Sequence, residues 1–184
     1  MRVISGSARG RKLKDVGKFA GLKDIRPTGD KIKESIFNII QFDVEGRRVL
    51  DLFAGSGQLG IEALSRGANC AVFVDSNLNA VKLINENLKL CGFFELSKVY
   101  NRNVLKYLEN DEDTFDIIFI DPPYDTSLLS DTLSMVVGID KLNSNGIIIC
   151  ESSIDIPVPS VLSPYHLFKE YKYGNTRILK FIRE

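Results

Sequence analysis

The sequence predicts an α/β fold, a mostly parallel sheet with helices on both faces. Three observations carry that expectation. From residue 47 the chain alternates short apolar runs with amphipathic segments, the pattern of strands joined by helical crossovers. Two of the runs, FDIIFID (115–121) and GIIIC (146–150), are continuously apolar, as strands are when both faces are covered. The last two apolar stretches flank a Gly-Asn turn at 174–175, which favours an antiparallel pair.

In chain order, the basic opening segment is expected to form a short hairpin. Thr28 to Gln41 then reads as an amphipathic helix entered after Pro27, burying Ile32, Ile36, Ile39 and Ile40. RRVLDLF (47–53) is a strand, and Gln58 to Arg66 a helix stopped by Gly67. NCAVFVD (69–75) is the second strand. Residues 77–91 place Leu78, Val81, Ile84 and Leu88 at helical spacing, with Ser76 as N-cap and Gly92 just past the end. KVYNRN (98–103) is a weaker strand, and Leu128 to Val137 the helix between the two buried runs. IPVPSVLSP (156–164) is a poor helix, and YHLFKEYKYGNTRILKFI reads as the two strands of a terminal hairpin.

The chain has 184 residues, 44% hydrophobic and 26% charged, a globular composition suited to one domain. Residues 1–45 are expected to be a basic N-terminal extension and 46–184 the core of that domain. No run approaches the roughly 18 apolar residues that span a bilayer. The opening MRVISGSARGRKL lacks an apolar secretory region, so the expected location is cytoplasmic. Cys70, Cys91 and Cys150 form no CxxC pair, and His166 is the sole histidine, so no metal site is expected. Charge is balanced at 24 basic and 24 acidic residues, but residues 1–33 hold ten basic and three acidic side chains. That leaves +7 in the first 33 residues and −7 in the rest, which points to a polyanion partner for the N-terminal end, with a merely solvated arm as the plainer alternative.

The first strand runs into DLFAGSGQLG (51–60), where Gly55, Gly57 and Gly60 satisfy G-x-G-x-x-G and Asp75 follows at the next strand tip. Glycine lets the chain turn sharply and a ligand approach the backbone, and an acid at the second tip can hold ribose hydroxyls. Dinucleotide-binding and methyltransferase units share this pattern. Asp51 separates them, because a carboxylate there suits a cationic methionine moiety and gains nothing beside a pyrophosphate. About fifty residues ahead of the strand point the same way.

DPPY (121–124) follows the run FDIIFI directly, at a carboxyl edge where open α/β sheets bind ligands. Its prolines hold the loop rigid. An exocyclic base amine is a poor nucleophile because its lone pair is delocalised into the ring. Acceptors on its two N–H groups, the Asp121 carboxylate and the Pro122 carbonyl, can localise that pair while Tyr124 stacks on the base. Pro123 completes the turn. In the plainer reading, Asp-Pro-Pro is a common loop and Tyr124 is packed.

These residues closely resemble the bacterial 16S ribosomal RNA guanine-N2 methyltransferase family of the RsmD type. The resemblance runs through MRVISGSARGRKL, RPTGDKIKESIFNII (26–40), DLFAGSGQLGIEALSRGA (51–68), FDIIFIDPPY and KYGNTRI (172–178), nearly the whole chain. It implies a Rossmann-like class I fold, a mostly parallel seven-stranded sheet with an antiparallel terminal strand and a short N-terminal hairpin and helix. It also implies transfer of a methyl group from S-adenosylmethionine to guanine N2 in 16S ribosomal RNA, within the small subunit or an assembly intermediate, with no membrane and no metal. Carried over by position, Asp51, Gly55 and Gly57 line the methionine end, with Phe53 and Ala54 between them. Asp75 takes the ribose, where members often have Glu, with Ser76 beside it. Asn103 stands where members usually have an Asp that meets the adenine amino group, next to Val104. Asp121 borders the cofactor as well as the base. Arg26, Thr28, Phe37 and Asn38 belong to the segment that closes over the cofactor. Arg2, Arg9, Arg11 and Lys12 are the expected RNA contacts. The alternatives are an adenine-N6 methyltransferase acting on DNA or RNA, and a non-catalytic RNA-binding ribosome-assembly factor.

Overall fold

The structure, a computed structural model, describes residues 1–14, 29–123 and 126–184. Its elements are α1 (Asp30–Ile39), β1 (Arg48–Leu52), α2 (Gln58–Ser65), β2 (Cys70–Asp75), α3 (Leu78–Cys91), β3 (Ser97–Asn101), α4 (Val104–Asn110), β4 (Phe115–Ile120), α5 (Thr126–Gly138), β5 (Leu142–Ser153), β6 (Tyr165–Tyr173) and β7 (Thr176–Arg183). The strands form one seven-stranded sheet in the order β3-β2-β1-β4-β5-β7-β6. The first five are parallel. β7 inserts between β5 and β6 and is antiparallel to both, so the edge of the sheet is β6 and not the last strand of the chain.

Strand alternation divides the core into two layers. Val49, Ile117, Phe119, Ile147, Ile149 and Ile178 face the side covered by α1, α2 and α3. Leu50, Leu52, Ile118, Ile120, Ile148, Cys150 and Phe181 face the side that holds α4 and α5. Both layers are closed over β1, β4 and β5, which is why their sequences read as continuous apolar runs.

The elements depart from the expected boundaries for local reasons. Asn77, not Ser76, caps α3, its side chain accepting from the Asn79 N–H at 2.8 Å. β3 ends at Asn101, because Asn103 turns to cap α4, accepting from the N–H groups of Leu105 and Lys106. That short helix had no counterpart in the expected pattern. α1 begins at Asp30; Ile36 and Ile40 are buried as expected, while Ile32 and Ile39 are only half-buried and Lys33 and Phe37 are fully enclosed. Thr28 lies outside the described residues.

The N-terminal hairpin is present, with Arg2 opposite Lys12 and the Val3 N–H donating to the Arg11 carbonyl. It lies against α2. The Ile4 and Ser5 N–H groups donate to the two oxygens of Glu62 at 2.8 and 2.9 Å, and the Ala8 N–H to Ser65 Oγ at 3.0 Å. Gly6 packs so tightly that a Cβ there would stand 1.7 Å from the Ser65 carbonyl oxygen, and its φ is +80°. Glu62 is fully buried and also meets Lys33 Nζ at 3.8 Å and Arg66 Nε at 2.9 Å. Lys33 Nζ in turn donates to the Arg2 carbonyl at 2.6 Å. Burial pushes the Lys33 ammonium below the ordinary lysine value, against the pull of Glu62 and Asp30.

Candidate active site

A cleft of about 560 Å³ opens at the carboxyl edge of the parallel strands, the edge at which open α/β sheets bind ligands. The turn after β1 builds one wall. Phe53 takes a left-handed conformation (φ 62°), uncommon for a bulky residue, and Gly55 (φ 56°) and Gly57 (φ 77°) continue the turn into α2. Gly60 serves a different end. A Cβ on it would stand 2.3 Å from the Phe73 ring, so its bareness lets α2 lie on β2.

Two carboxylates organise this wall. Asp51, 2% exposed, accepts from the Gly60 N–H at 2.9 Å. Burial raises its pKa well above the ordinary carboxylate value, and the charges of Asp121 and Asp75 add to that. Asp75 accepts from the Gly55 N–H and the Asn77 N–H, both at 2.8 Å, and so ties the glycine turn to the tip of β2. Its pKa is also raised by burial, against those two hydrogen bonds. Asn87 of α3 braces the same turn from behind, its Nδ2 donating to the Ser56 carbonyl at 3.0 Å.

The opposite wall is Asp121, Pro122 and Pro123, directly after β4. A separate crevice of about 10 Å³ lies against the same three residues, with Leu129, Glu151, Ser152 and Ile156. It has space for no more than a water molecule.

Most of the residues singled out in the sequence meet in this one cleft: Asp51, Phe53, Ala54, Gly55, Asp75, Ser76, Asn103, Val104, Asp121, Pro122 and Pro123 all line it. Gly57 stands in the same turn as the N-cap position of α2. Phe37 does not reach the lining. It is fully buried, 5.8 Å from the Phe119 ring centre, with the Arg66 guanidinium over its face. Asn38 is exposed on α1 and also stands outside the lining. Arg26, Thr28 and Tyr124 lie outside the described residues. Arg2, Arg9, Arg11 and Lys12 are exposed on the hairpin, away from the cleft lining. Arg11 also donates to the Leu90 carbonyl at 2.8 Å, closing the last turn of α3.

Sequence reasoning passed over Gly29, Ile32, Ser56, Gln58, Leu59, Asn77, Leu128, Glu151 and Thr176, which complete the lining. Glu151 had a readable signal. It follows the run GIIIC as Asp121 follows FDIIFI, one acid directly after each of two apolar runs, although β5 continues past Glu151 to Ser153. Among the described residues no group of three or more His, Cys, Asp or Glu side chains is placed to hold a metal ion, and no helix is long and apolar enough to cross a membrane.

The family described as "Conserved hypothetical protein 95" matches residues 1–182. The chain belongs to this family, the RsmD type. It is 40% identical over 181 residues to the "Putative rRNA methyltransferase YlbH" of Bacillus subtilis, covering 97% of this chain and 96% of that one. It is 32% identical over 184 residues to the ribosomal RNA small subunit methyltransferase D of Escherichia coli K12, covering 100% and 90% of the two chains. Among solved structures, the "Putative methyltransferase yhhF" of Escherichia coli superimposes with a TM-score of 0.88 at 29% identity, over 100% of this chain and 98% of that one. RsmD membership and the strand order make this a Rossmann-like fold of the S-adenosylmethionine-dependent methyltransferase class.

Proposed function

We propose that this protein transfers a methyl group from S-adenosylmethionine to the exocyclic N2 of a guanine in 16S ribosomal RNA. One observation carries the reading: Asp121-Pro122-Pro123 faces into the same cleft as the glycine turn with its two carboxylates. A site for a methyl donor and a site for a base amine are thereby one site.

The cleft suits the donor in size and chemistry, since ligand pockets of about 300–1,000 Å³ enclose molecules of this class. The Asp51 carboxylate offers a negative charge to the methionine end, bordered by Phe53, Ala54, Gly55 and Gly57. Asp75, whose oxygens each keep a second lone pair beyond their backbone bonds, accepts from the ribose hydroxyls, with Ser76 alongside. Asn103 and Val104, at the start of α4, border the adenine. The Asn103 side-chain oxygen is engaged by the helix, so its amide N–H groups are the part that meets a ring nitrogen. S-adenosylmethionine supplies an already activated methyl group, so no strong base is needed in the protein.

On the other wall, the Asp121 carboxylate and the Pro122 carbonyl accept from the two N–H groups of the amine and hold its lone pair towards the donor. Tyr124 stacks on the base, and Asp121 receives the proton that the nitrogen sheds. The base must leave its stack to reach this wall, at a cost of a few kcal/mol. Arg2, Arg9, Arg11 and Lys12 offset part of that cost by neutralising phosphates. The chain works in the cytoplasm, where its substrate is assembled.

Nucleoside mass spectrometry after reaction of the purified protein with unmodified small-subunit RNA and particles tests the reading. N2-methylguanosine is expected. N6-methyladenosine in its place would move the assignment to the adenine class, and no methylated nucleoside at all would leave an RNA-binding assembly protein.

A further inference from the structure

Glu151 is where the cleft carries more information than methyl transfer alone requires. β4 and β5 run parallel with Ile120 opposite Cys150, and the residues that follow these two, Asp121 and Glu151, line one small crevice together. Alternation puts both on the face of the sheet that bears Phe119 and Ile149, and both line the cleft. Adjacent strands stand about 4.8 Å apart. The acceptor wall therefore presents two carboxylates in a row, of which the amine chemistry uses only the first.

We infer that Glu151 reads the ring N1–H of the target base and so makes the site selective for guanine. This rests on the reading of the cleft as a base-amine methyltransferase site. Among the four RNA bases, three bear an exocyclic amine. In adenine the ring nitrogen on the Watson–Crick side of that amine is an acceptor, N1, and in cytosine it is N3, also an acceptor. In guanine it is a donor, N1–H, directly beside N2. An ionised carboxylate can accept hydrogen bonds but donate none. With the amine on Asp121, Glu151 attracts the guanine edge and repels the ring nitrogen of adenine or cytosine. Discrimination of this kind combines a favourable bond with a built-in repulsion. It also explains why Asp-Pro-Pro-Tyr alone leaves the base open, because the distinguishing residue sits on the next strand.

The test pairs protein variants with a base analogue. The guanosine that wild type methylates is first located on unmodified small-subunit RNA by mass spectrometry of nuclease fragments. Synthetic RNA is then made with 2-aminopurine at that position, which keeps the N2 amine and lacks the N1–H. Single-turnover rates are compared for wild type, Glu151→Gln and Glu151→Ala on both RNAs. Wild type is expected to favour guanine by about 10- to 100-fold from the charged hydrogen bond. Glu151→Ala should shrink that preference by about tenfold or more, with Glu151→Gln in between because it keeps an oxygen acceptor. The missing O6 of the analogue is common to all arms and cancels in the cycle. Affinity for S-adenosylhomocysteine, measured by calorimetry, should stay within about twofold. An unchanged preference in both variants, or an equal slowing on both bases, overturns the inference while leaving the methyltransferase reading intact. Absence of N2-methylguanosine from the wild-type reaction overturns that reading itself.

Discussion

The two ends of α2 use one kind of hydrogen bond with the partners exchanged. At the start of the helix a backbone N–H, that of Gly60, donates to the side-chain carboxylate of Asp51. Near its end two side chains of the helix, Glu62 and Ser65, receive the backbone N–H groups of Ile4, Ser5 and Ala8. The first bond joins residues 9 apart in sequence; the others join residues 57 or 58 apart. A helix of eight residues, all buried, thus holds the ligand wall by its backbone and the basic hairpin by its side chains.

The largest effect should come from breaking the second end. Glu62→Ala leaves Lys33 enclosed without its carboxylate and frees two N–H groups of the arm. Removing one partner of a buried pair costs about 3–5 kcal/mol, measured as a shift in the denaturant midpoint. Pairing Glu62→Leu with Lys33→Met should recover much of that stability, since no uncompensated charge is left behind. A Glu62→Ala protein of wild-type stability would mean that the arm is not held here.

The carboxylate that follows β4, Asp121, should separate rate from binding. Asp121→Ala is expected to slow single-turnover methylation by about 2.7–4 kcal/mol of transition-state stabilisation, with cofactor affinity little changed. Asp121→Asn keeps an oxygen acceptor and should retain more activity. Equal rates for the Ala variant and wild type would reduce the Asp-Pro-Pro turn to a structural loop.

The two ends should also titrate in opposite senses. Asp51 is raised by burial, so between the ordinary carboxylate value and its own the folded chain keeps a proton that the unfolded chain has released. Stability of the ligand-free protein therefore falls as pH rises through that window. A cationic ligand group favours the ionised form, so S-adenosylmethionine binding should release protons there and tighten with pH. Calorimetry in buffers of different ionisation enthalpy reads this directly, and Asp51→Asn should abolish it. Lys33 is lowered by burial, so between its own value and the ordinary 10.5 the unfolded chain holds the extra proton and stability rises with pH.

The smallest effect belongs to the exposed hairpin charges. Neutralising Arg9, Arg11 and Lys12 together should weaken RNA binding and flatten its salt dependence. The log–log slope should become shallower by about 0.7 to 0.9 for each phosphate that is no longer neutralised. Cofactor affinity should barely move. An unchanged slope with normal methylation of the particle would make this arm a solvated surface.

The same contrast explains what the sequence disclosed. The alternation of strands and helices, the glycine turn and the Asp75 tip are products of neighbouring residues, and periodicity with a few glycines reveals them. Gly60 was legible as part of a motif, yet its reason, the Phe73 ring beneath it, comes from a strand 13 residues on. The Lys33–Glu62 pair was not legible, because a lysine in an amphipathic helix and a glutamate in the next helix look like solvated charges until the hairpin covers them. Asn77 displaced Ser76 as the cap because the Asp75 side chain already takes the Asn77 N–H and turns the chain there. Glu151 was missed for a similar reason. Its neighbour across a small crevice, Asp121, is 30 residues away in sequence, and the pairing of β4 with β5 brings the two segments together.

α3 sets a distance. Its 14 residues extend about 21 Å at 1.5 Å per residue. Asn77 stands on the cleft at one end, and the Arg11 guanidinium is fastened to Leu90 at the other. The helix is a strut that keeps Asn77 on the cleft and the Leu90 anchor of Arg11 roughly two nanometres apart. At about 3.4 Å per stacked step this is on the order of six steps of a strand. If the cleft takes a base of RNA, as proposed, a mononucleotide or a very short fragment would fill it without reaching Arg11.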